Sequence, residues 1–171
     1  SGQQAGSIDR SRVVGIAGGP EKCRIVTEEY GFDACVDYKA GRLYDDLKAA
    51  TPDGIDGNFE NVGGEVFDAV LARMNAFGRI AVCGLISGYS GEPIPLRNVR
   101  SLLVNRLLVR GFIVSDHPDS WDPALTELAD LVSKGELRYR ETIAEGIESA
   151  PGAFIGLLGG RNIGKQLVKL V

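Results

Sequence analysis

The sequence predicts an α/β fold, a doubly wound Rossmann-type parallel sheet with a small α+β segment at its C-terminal end. Two observations carry that prediction. Five apolar or β-branched runs follow one another, and the first four begin about 22 residues apart, room for a strand, a helix and two short loops. The segments between them have helical periodicity, and alternating βα units of this kind bury a parallel sheet between layers of helix.

The elements follow in order. "RVVGIA" (12–17) is the first strand run and stops at Gly18-Gly19. Pro20 suits a first helical position, and over 20–30 Cys23, Val26 and Tyr30 share a face while Glu28 and Glu29 face out. "ACVDY" (34–38) and "IDGNFENV" (55–62) are the next strands. Over 65–75 Val66, Phe67, Val70, Leu71 and Met74 form a stripe opposite Glu65, Asp68 and Arg73, which predicts a helix packed on the core. "FGR" (77–79) ends it, and "RIAVCGLIS" (79–87) and "LLVRGFIVS" (107–115) supply two more strands. After residue 120 the rhythm changes. Leu125, Leu128, Leu131 and Val132 mark a helix, followed by extended "LRYRETI", a short apolar helix "APGAFIGLL" and a last strand "KQLVKLV". This tail reads as part of a second, more antiparallel structure.

Composition narrows the function. The chain has 171 residues and a formal charge of -4, which argues against nucleic acid as a partner. No apolar run approaches the length of a membrane span, and no signal-peptide pattern is present. Cys23, Cys35 and Cys83 are widely spaced and His117 is the single histidine, so neither a zinc site nor a disulfide framework is expected. That usage fits a reducing, cytoplasmic setting. The cysteines read as small buried hydrophobes, with Cys83 also near a candidate site, and His117 in "SDHPDS" reads as a solvated loop residue.

Ligands of doubly wound folds lie beyond the carboxyl ends of the strands. Here those ends read "GGPEK", "DYK", "ENVGG" and "CGLISGY". An NAD-binding chain normally carries an acid at the tip that meets the adenosine ribose, whereas this tip is Gly18-Gly19. A bare helix start, its dipole, Lys22 and Arg24 make an anion site instead, suited to a ribose 2'-phosphate. One charge-assisted bond there is worth about 1.5–3 kcal/mol. NADP(H) is therefore favoured over NAD(H).

"RVVGIAGGPEKCR", "GFDACVDYK", "PDGIDGNFENVGGEVFDAVLARMNAFGRIAVCGLIS" and "GLLGGRNIGKQLVKLV" resemble the zinc-independent medium-chain dehydrogenase/reductases. Within them they resemble the prostaglandin reductase, leukotriene 12-hydroxydehydrogenase and alkenal double-bond reductase group. The resemblance implies hydride transfer from NADPH to the β-carbon of an α,β-unsaturated ketone or aldehyde. It implies that Lys22 and Tyr38 hold the 2'-phosphate beside Gly18 and Gly19, and that Asn61 contacts the cofactor. Cys83, Leu85, Ile86 and Ser87 would wrap it, Phe112, Ile113 and Val114 would meet the carboxamide, and Asn162 would reach back to it. For Tyr89 two roles stay open, enolate proton donor and ribose contact. Homodimerisation through the strand near 107–115 is a further expectation.

The resemblance divides the chain into 1–11, a tag or truncated remnant, 12–134, the NADP-binding domain, and 135–171, a segment of the substrate-side domain. Two family features are missing from the sequence. These are the substrate-side domain that precedes this region and the first nucleotide-binding strand with its A-x-x-G-x-x-G turn. That strand would lie between 12–17 and 55–62, and without it both halves of the sheet expose unpaired backbone. The expectation is a fragment or processed form, a sequence that omits a stretch, or pairing with a second copy, and a chain inactive by itself. The leading reading is an NADPH-dependent enone or alkenal reductase. The alternatives are a non-catalytic NADP-binding or regulatory module and a quinone reductase of the same superfamily. A methyltransferase-like domain is disfavoured because no acid occupies the tip at Gly18-Gly19.

Overall fold

The computed structural model describes residues 11–89, 91 and 93–171. Apart from its last residue, the 1–11 segment lies outside the described residues. The described chain forms two compact units, one running through Phe112 and the other beginning at Ile113.

In the first unit β1 (Val14–Ala17) pairs in parallel with β2 (Ala34–Asp37), Val14 opposite Ala34 and Ala17 opposite Asp37. A second parallel sheet has the order β3 (Ile55–Glu60), β4 (Met74–Val82), β5 (Leu108–Gly111). The crossovers are helical: α1 (Pro20–Glu28), α2 (Leu43–Ala50), α3 (Gly64–Leu71) and α4 (Arg100–Val104). No ladder joins β1 to β3 among the described residues. The two sheets nevertheless share one core. Val36 of β2 and Leu43 and Leu47 of α2 pack in the same buried cluster as Phe67, Val70 and Leu71 of α3 and Ile80 of β4. Burial of such side chains at about 1.5–3 kcal/mol each is what holds the halves together.

The strand positions expected from the sequence hold to within a few residues, with one instructive exception. Met74 does not close the helical stripe; it opens β4, and Gly78 lies within that strand instead of ending a helix. The register shifts between Ile55 opposite Met74 and Gly57 opposite Arg79, so residues 75–78 bulge out of the ladder. Phe77 sits at φ +64°, an unusual value for a bulky residue. Its N–H donates to Asn105 O at 2.7 Å and the Arg106 guanidinium lies 4.4 Å from its ring centre. A bulged strand start mimics a helical repeat because Met74 is buried in either case.

The second unit contains α5 (Trp121–Ser133), α6 (Ala150–Leu158) and the strands β6 (Glu141–Glu145) and β7 (Lys165–Lys169). β6 and β7 pair in parallel, with Glu141 opposite Lys165, which corrects the antiparallel expectation. The physical reason is the connection: α6 carries the chain back to the start of the sheet, as a parallel crossover requires. Among the described residues no helix is long and apolar enough to cross a membrane.

Candidate cofactor site

The turn after β1 is built by glycine. Gly19 is the N-cap of α1 at φ +98°, a conformation that a side chain disfavours, and Pro20 follows as the first helical residue. At Gly18 a Cβ would lie 2.9 Å from the Tyr38 hydroxyl and 3.0 Å from Lys39 Cε, so the bare backbone admits both side chains. The Lys39 ammonium lies 5.8 Å from the Tyr38 ring centre, within cation–π range. The structure thus brings Gly18, Gly19 and Tyr38 together at one strand edge, with Lys22 in the first turn of α1.

Two details of this turn differ from the sequence expectation. Asp37 reaches across from the end of β2, and its Oδ1 accepts from Gly19 N at 2.8 Å and from Lys39 N at 2.9 Å. A carboxylate therefore does stand at the first tip. It comes from the neighbouring strand, and it takes one of the donors expected to be bare. Arg24 faces along the helix to Glu28 at 3.6 Å, which offsets part of the charge expected from it. The cations at this edge are Lys22 and Lys39.

The second cluster lies at the ends of β3 and β4. Glu60 is 2% exposed, and its Oε1 accepts from Val62 N at 2.8 Å and Gly63 N at 2.7 Å while Oε2 accepts from Asn58 Nδ2 at 3.0 Å. The backbone oxygen of Glu60 accepts from Cys83 N at 2.9 Å and from the Cys83 thiol at 3.1 Å. Ile86 N then donates to Asn61 O, and Ser87 N to Val62 O at 2.9 Å. These bonds stitch the "ENVGG" turn to the "CGLIS" turn, so that Asn61, Cys83, Leu85, Ile86 and Ser87 share one edge. Gly84 is required there: a Cβ would lie 2.3 Å from Asn61 Oδ1. Gly63 and Gly64 both have positive φ, and a Cβ on Gly63 would meet Ser87 Oγ at 2.9 Å and Leu85 at 3.2 Å. Gly84→Ala is expected to displace the Asn61 side chain and weaken dinucleotide binding about tenfold while leaving the melting temperature nearly unchanged. Paired calorimetric titration and thermal denaturation check this.

Phe112 N donates to Val82 O at 3.1 Å, and its ring lies 6.2 Å from that of Phe59. Tyr89 follows the Ile86–Gly88 turn and is 69% exposed, with its N–H on Ile86 O. Ile113, Val114 and Asn162 belong to the second unit. There Val114 O accepts from Trp121 Nε1 at 3.2 Å, Asn162 Nδ2 donates to Gly164 O at 2.6 Å, and the Ile113 side chain is exposed.

Asp37, Lys39, Glu60 and Gly84 are the residues that sequence reasoning missed. Glu60 had a signal, since a carboxylate just ahead of two turn N–H groups is a turn cap. Asp37 and Gly84 had none, because their roles depend on neighbouring strand ends that only the fold brings close.

Away from this edge, a cavity of about 220 Å³ is lined by Tyr44, Glu65, Asp68, Pro95 and Arg97. Asp68 is 3% exposed and accepts from Tyr44 Oη at 2.7 Å, Arg97 N at 2.7 Å, Asn98 N at 2.8 Å and Asn98 Nδ2 at 2.8 Å. Burial pushes its carboxyl upward, but the donors from Asn98, Tyr44 and Arg97 outweigh that and hold it below the usual carboxylate value. This network ties α2, α3 and the 95–98 segment together and has a structural role. Among the described residues no group of three or more His, Cys, Asp or Glu is arranged to hold a metal ion.

The family described as zinc-binding dehydrogenase matches residues 3–130. The chain is 42% identical over 174 residues to the NADPH-dependent curcumin reductase of Escherichia coli (strain K12), covering 98% of this chain and 50% of that protein. It is 44% identical over 158 residues to the NADP(+)-dependent 2-alkenal reductase of Nicotiana tabacum, covering 91% of this chain and 46% of that protein. The crystal structure of CurA in complex with NADPH from Vibrio vulnificus superposes with a TM-score of 0.87 at 41% identity, covering 94% of this chain and 50% of that one. The chain spans about half the length of these relatives, and it belongs to the medium-chain dehydrogenase/reductase family, in the zinc-independent group that holds the curcumin and alkenal reductases.

Proposed function

We propose that the chain binds NADP(H) and is the cofactor-binding part of a reductase that saturates the C=C bond of α,β-unsaturated ketones and aldehydes. The observation that carries this reading is the turn after β1. Gly18 leaves room for Tyr38 and Lys39, and Gly19 starts a helix at whose first turn Lys22 stands. Two ammonium groups, a phenol and a helix start form a donor set for a phosphate monoester. Relatives named as NADPH-dependent and as NADP(+)-dependent support the same cofactor.

The residues present fit the group. A Cβ at Gly19 would meet nothing within 4 Å, so open backbone there lets a phosphate approach, and the Glu60-capped turn holds Asn61 at the ends of β3 and β4. When bound, the cofactor supplies the hydride. The protein's share is to hold the dinucleotide by its phosphates, orient it along the strand ends and keep water away from the reacting carbons. Lys22, Lys39 and Tyr38 hold the 2'-phosphate, while Asn61 and Ser87 orient the other half. Tyr89 is the phenol proposed to deliver the proton that the enolate needs.

The direct test is oxidation of NADPH, followed by its absorbance, by a full-length protein containing this chain, with enones, alkenals, quinones and alcohols as a panel. Turnover of enones and alkenals and not of alcohols is expected. Tyr89→Phe is expected to slow enone turnover on the order of tenfold, below the hundredfold of a fully positioned acid because the ring is so exposed. An unchanged rate with unchanged cofactor affinity leaves Tyr89 without a role.

A further inference from the structure

Two turns of the candidate site are built on bare glycine, and one side chain covers both. At Gly88 a Cβ would lie 2.6 Å from Ile94 Cδ1 and 2.9 Å from Ile94 Cγ1. At Gly63 a Cβ would lie 3.5 Å from the same Cδ1. Ile94 therefore rests on the main chain of the turn after β3 and of the turn after β4. Gly88 immediately precedes Tyr89, and the exposed ring of Tyr89 has little packing of its own to fix it. Its place is set by the turn, in which Ser87 N donates to Val62 O at 2.9 Å, Gly88 N to Leu85 O at 3.0 Å and Tyr89 N to Ile86 O at 3.2 Å.

Ile94 is itself held from behind. Leu96, two residues on, packs against the buried core. Arg97 N and Asn98 N then donate to Asp68 Oδ1 at 2.7 and 2.8 Å, and Asn98 Nδ2 donates to Asp68 Oδ2 at 2.8 Å and to Asp68 O at 3.1 Å. Asp68 lies on α3, the helix that begins at Gly64. The helix that follows the Gly63 turn thus anchors the segment whose isoleucine returns to cover that turn.

We propose that Ile94 is a positioning residue: seated on Gly63 and Gly88 and anchored through Asp68, it fixes the turn that carries Tyr89. The consequence for turnover rests on the proton-donor role proposed above for Tyr89; the hold on the turn does not. A β-branched side chain is stiff at χ1, so Ile94 contributes a fixed surface, and glycine lets that surface come close to the backbone. Truncation at Ile94 removes the γ- and δ-carbons over Gly88 and Gly63 and leaves the turn to its own short-range hydrogen bonds. A misplacement of about 1 Å costs a reaction as much as about a hundredfold. A turn that is loosened without being displaced loses less.

The test uses a full-length protein containing this chain and compares wild type, Ile94→Ala, Ile94→Leu, Tyr89→Phe and the Ile94→Ala/Tyr89→Phe double variant. Hydrogen exchange followed by mass spectrometry, on peptides spanning 86–89, reports opening of the turn. Ile94→Ala is expected to speed exchange there about tenfold while leaving α3 unchanged, and Ile94→Leu, which keeps δ-carbons, to stay within about threefold of wild type. Enone turnover at saturating NADPH should fall about fivefold to tenfold in Ile94→Ala. The double variant should be no slower than Tyr89→Phe alone, because both changes act through one phenol. A purely structural role would not produce that non-additivity. Unchanged exchange at 86–89 in Ile94→Ala overturns the proposal, and so do losses that multiply in the double variant. If Tyr89→Phe alone leaves turnover unchanged, the proton-donor reading falls, and the exchange data decide the proposal: faster exchange sustains it and unchanged exchange overturns it.

Discussion

Replacing Asp68 by alanine is expected to destabilise the chain by about 3 kcal/mol or more, the largest effect of any single polar change in the first unit. The carboxylate accepts four hydrogen bonds, from Tyr44, from Arg97 N and twice from Asn98, and it does so while 3% exposed. Each bond to a charged group contributes about 1.5–3 kcal/mol, and each buried donor left without a partner costs about 1–3 kcal/mol. The 220 Å³ cavity beside it admits water, which recovers part of the loss and sets the expectation at the lower end. For a chain of this size the melting temperature should fall by roughly 6–12 °C. Tyr44→Phe removes one donor only and should cost about 1 kcal/mol. Equal melting temperatures for wild type and Asp68→Ala would show that the network carries no stability.

The same network predicts a pH dependence whose sign can be worked out. The hydrogen bonds hold the Asp68 value below that of an unfolded aspartate, so the folded state binds its proton less readily. Stability from this group is therefore fully present above the unfolded value, about 4, and is lost as pH falls through the folded value. Urea melts in steps from pH 6 to pH 2 should show a decline beginning near pH 4. Asp68→Asn should remove that part of the slope.

Much of the fold was legible because apolar periodicity survives in single elements. Strand runs at 12–17, 34–38 and 55–62 and the helix ending at Leu158 correspond to observed elements, since each buries residues in a pattern that local sequence records. Met74 was misread because burial alone does not tell a helix end from a bulged strand start, and both need an apolar residue there. The pairing of β6 with β7 was misread because direction is set by the path of the connection, which periodicity does not encode. At the site, Gly18, Gly19 and Lys22 were singled out by turn chemistry, and Asn61 by the family resemblance. Asp37 was not singled out, because the bond that matters runs from one strand end to the next. Lys39 was passed over beside Tyr38, although the same close approach to Gly18 brings both in.

Lys22→Ala should weaken NADPH binding about tenfold to a hundredfold and NADH binding by no more than about threefold, which is the contrast that a lost charge-assisted bond to the extra phosphate produces. The asymmetry follows from the geometry. Lys22 stands in the first turn of α1, next to Gly19, where the helix dipole also favours an anion. Asp37 sets the limit on the effect. Its carboxylate faces the same turn through Gly19 N and Lys39 N and offsets part of the positive field, so the site depends on having two ammonium groups. Lys39→Ala should therefore also discriminate, by a smaller factor, because its cation is shared with the Tyr38 ring. Arg24→Ala should not, since Arg24 is engaged by Glu28 on an exposed helix face. Titrations of the three variants with both dinucleotides, at low and at physiological salt, check the order. Screening should shrink the NADPH preference of the wild type and leave little to shrink in Lys22→Ala. If Lys22→Ala weakens both dinucleotides alike, the turn holds a diphosphate or nothing, and the cofactor preference must come from elsewhere in the chain.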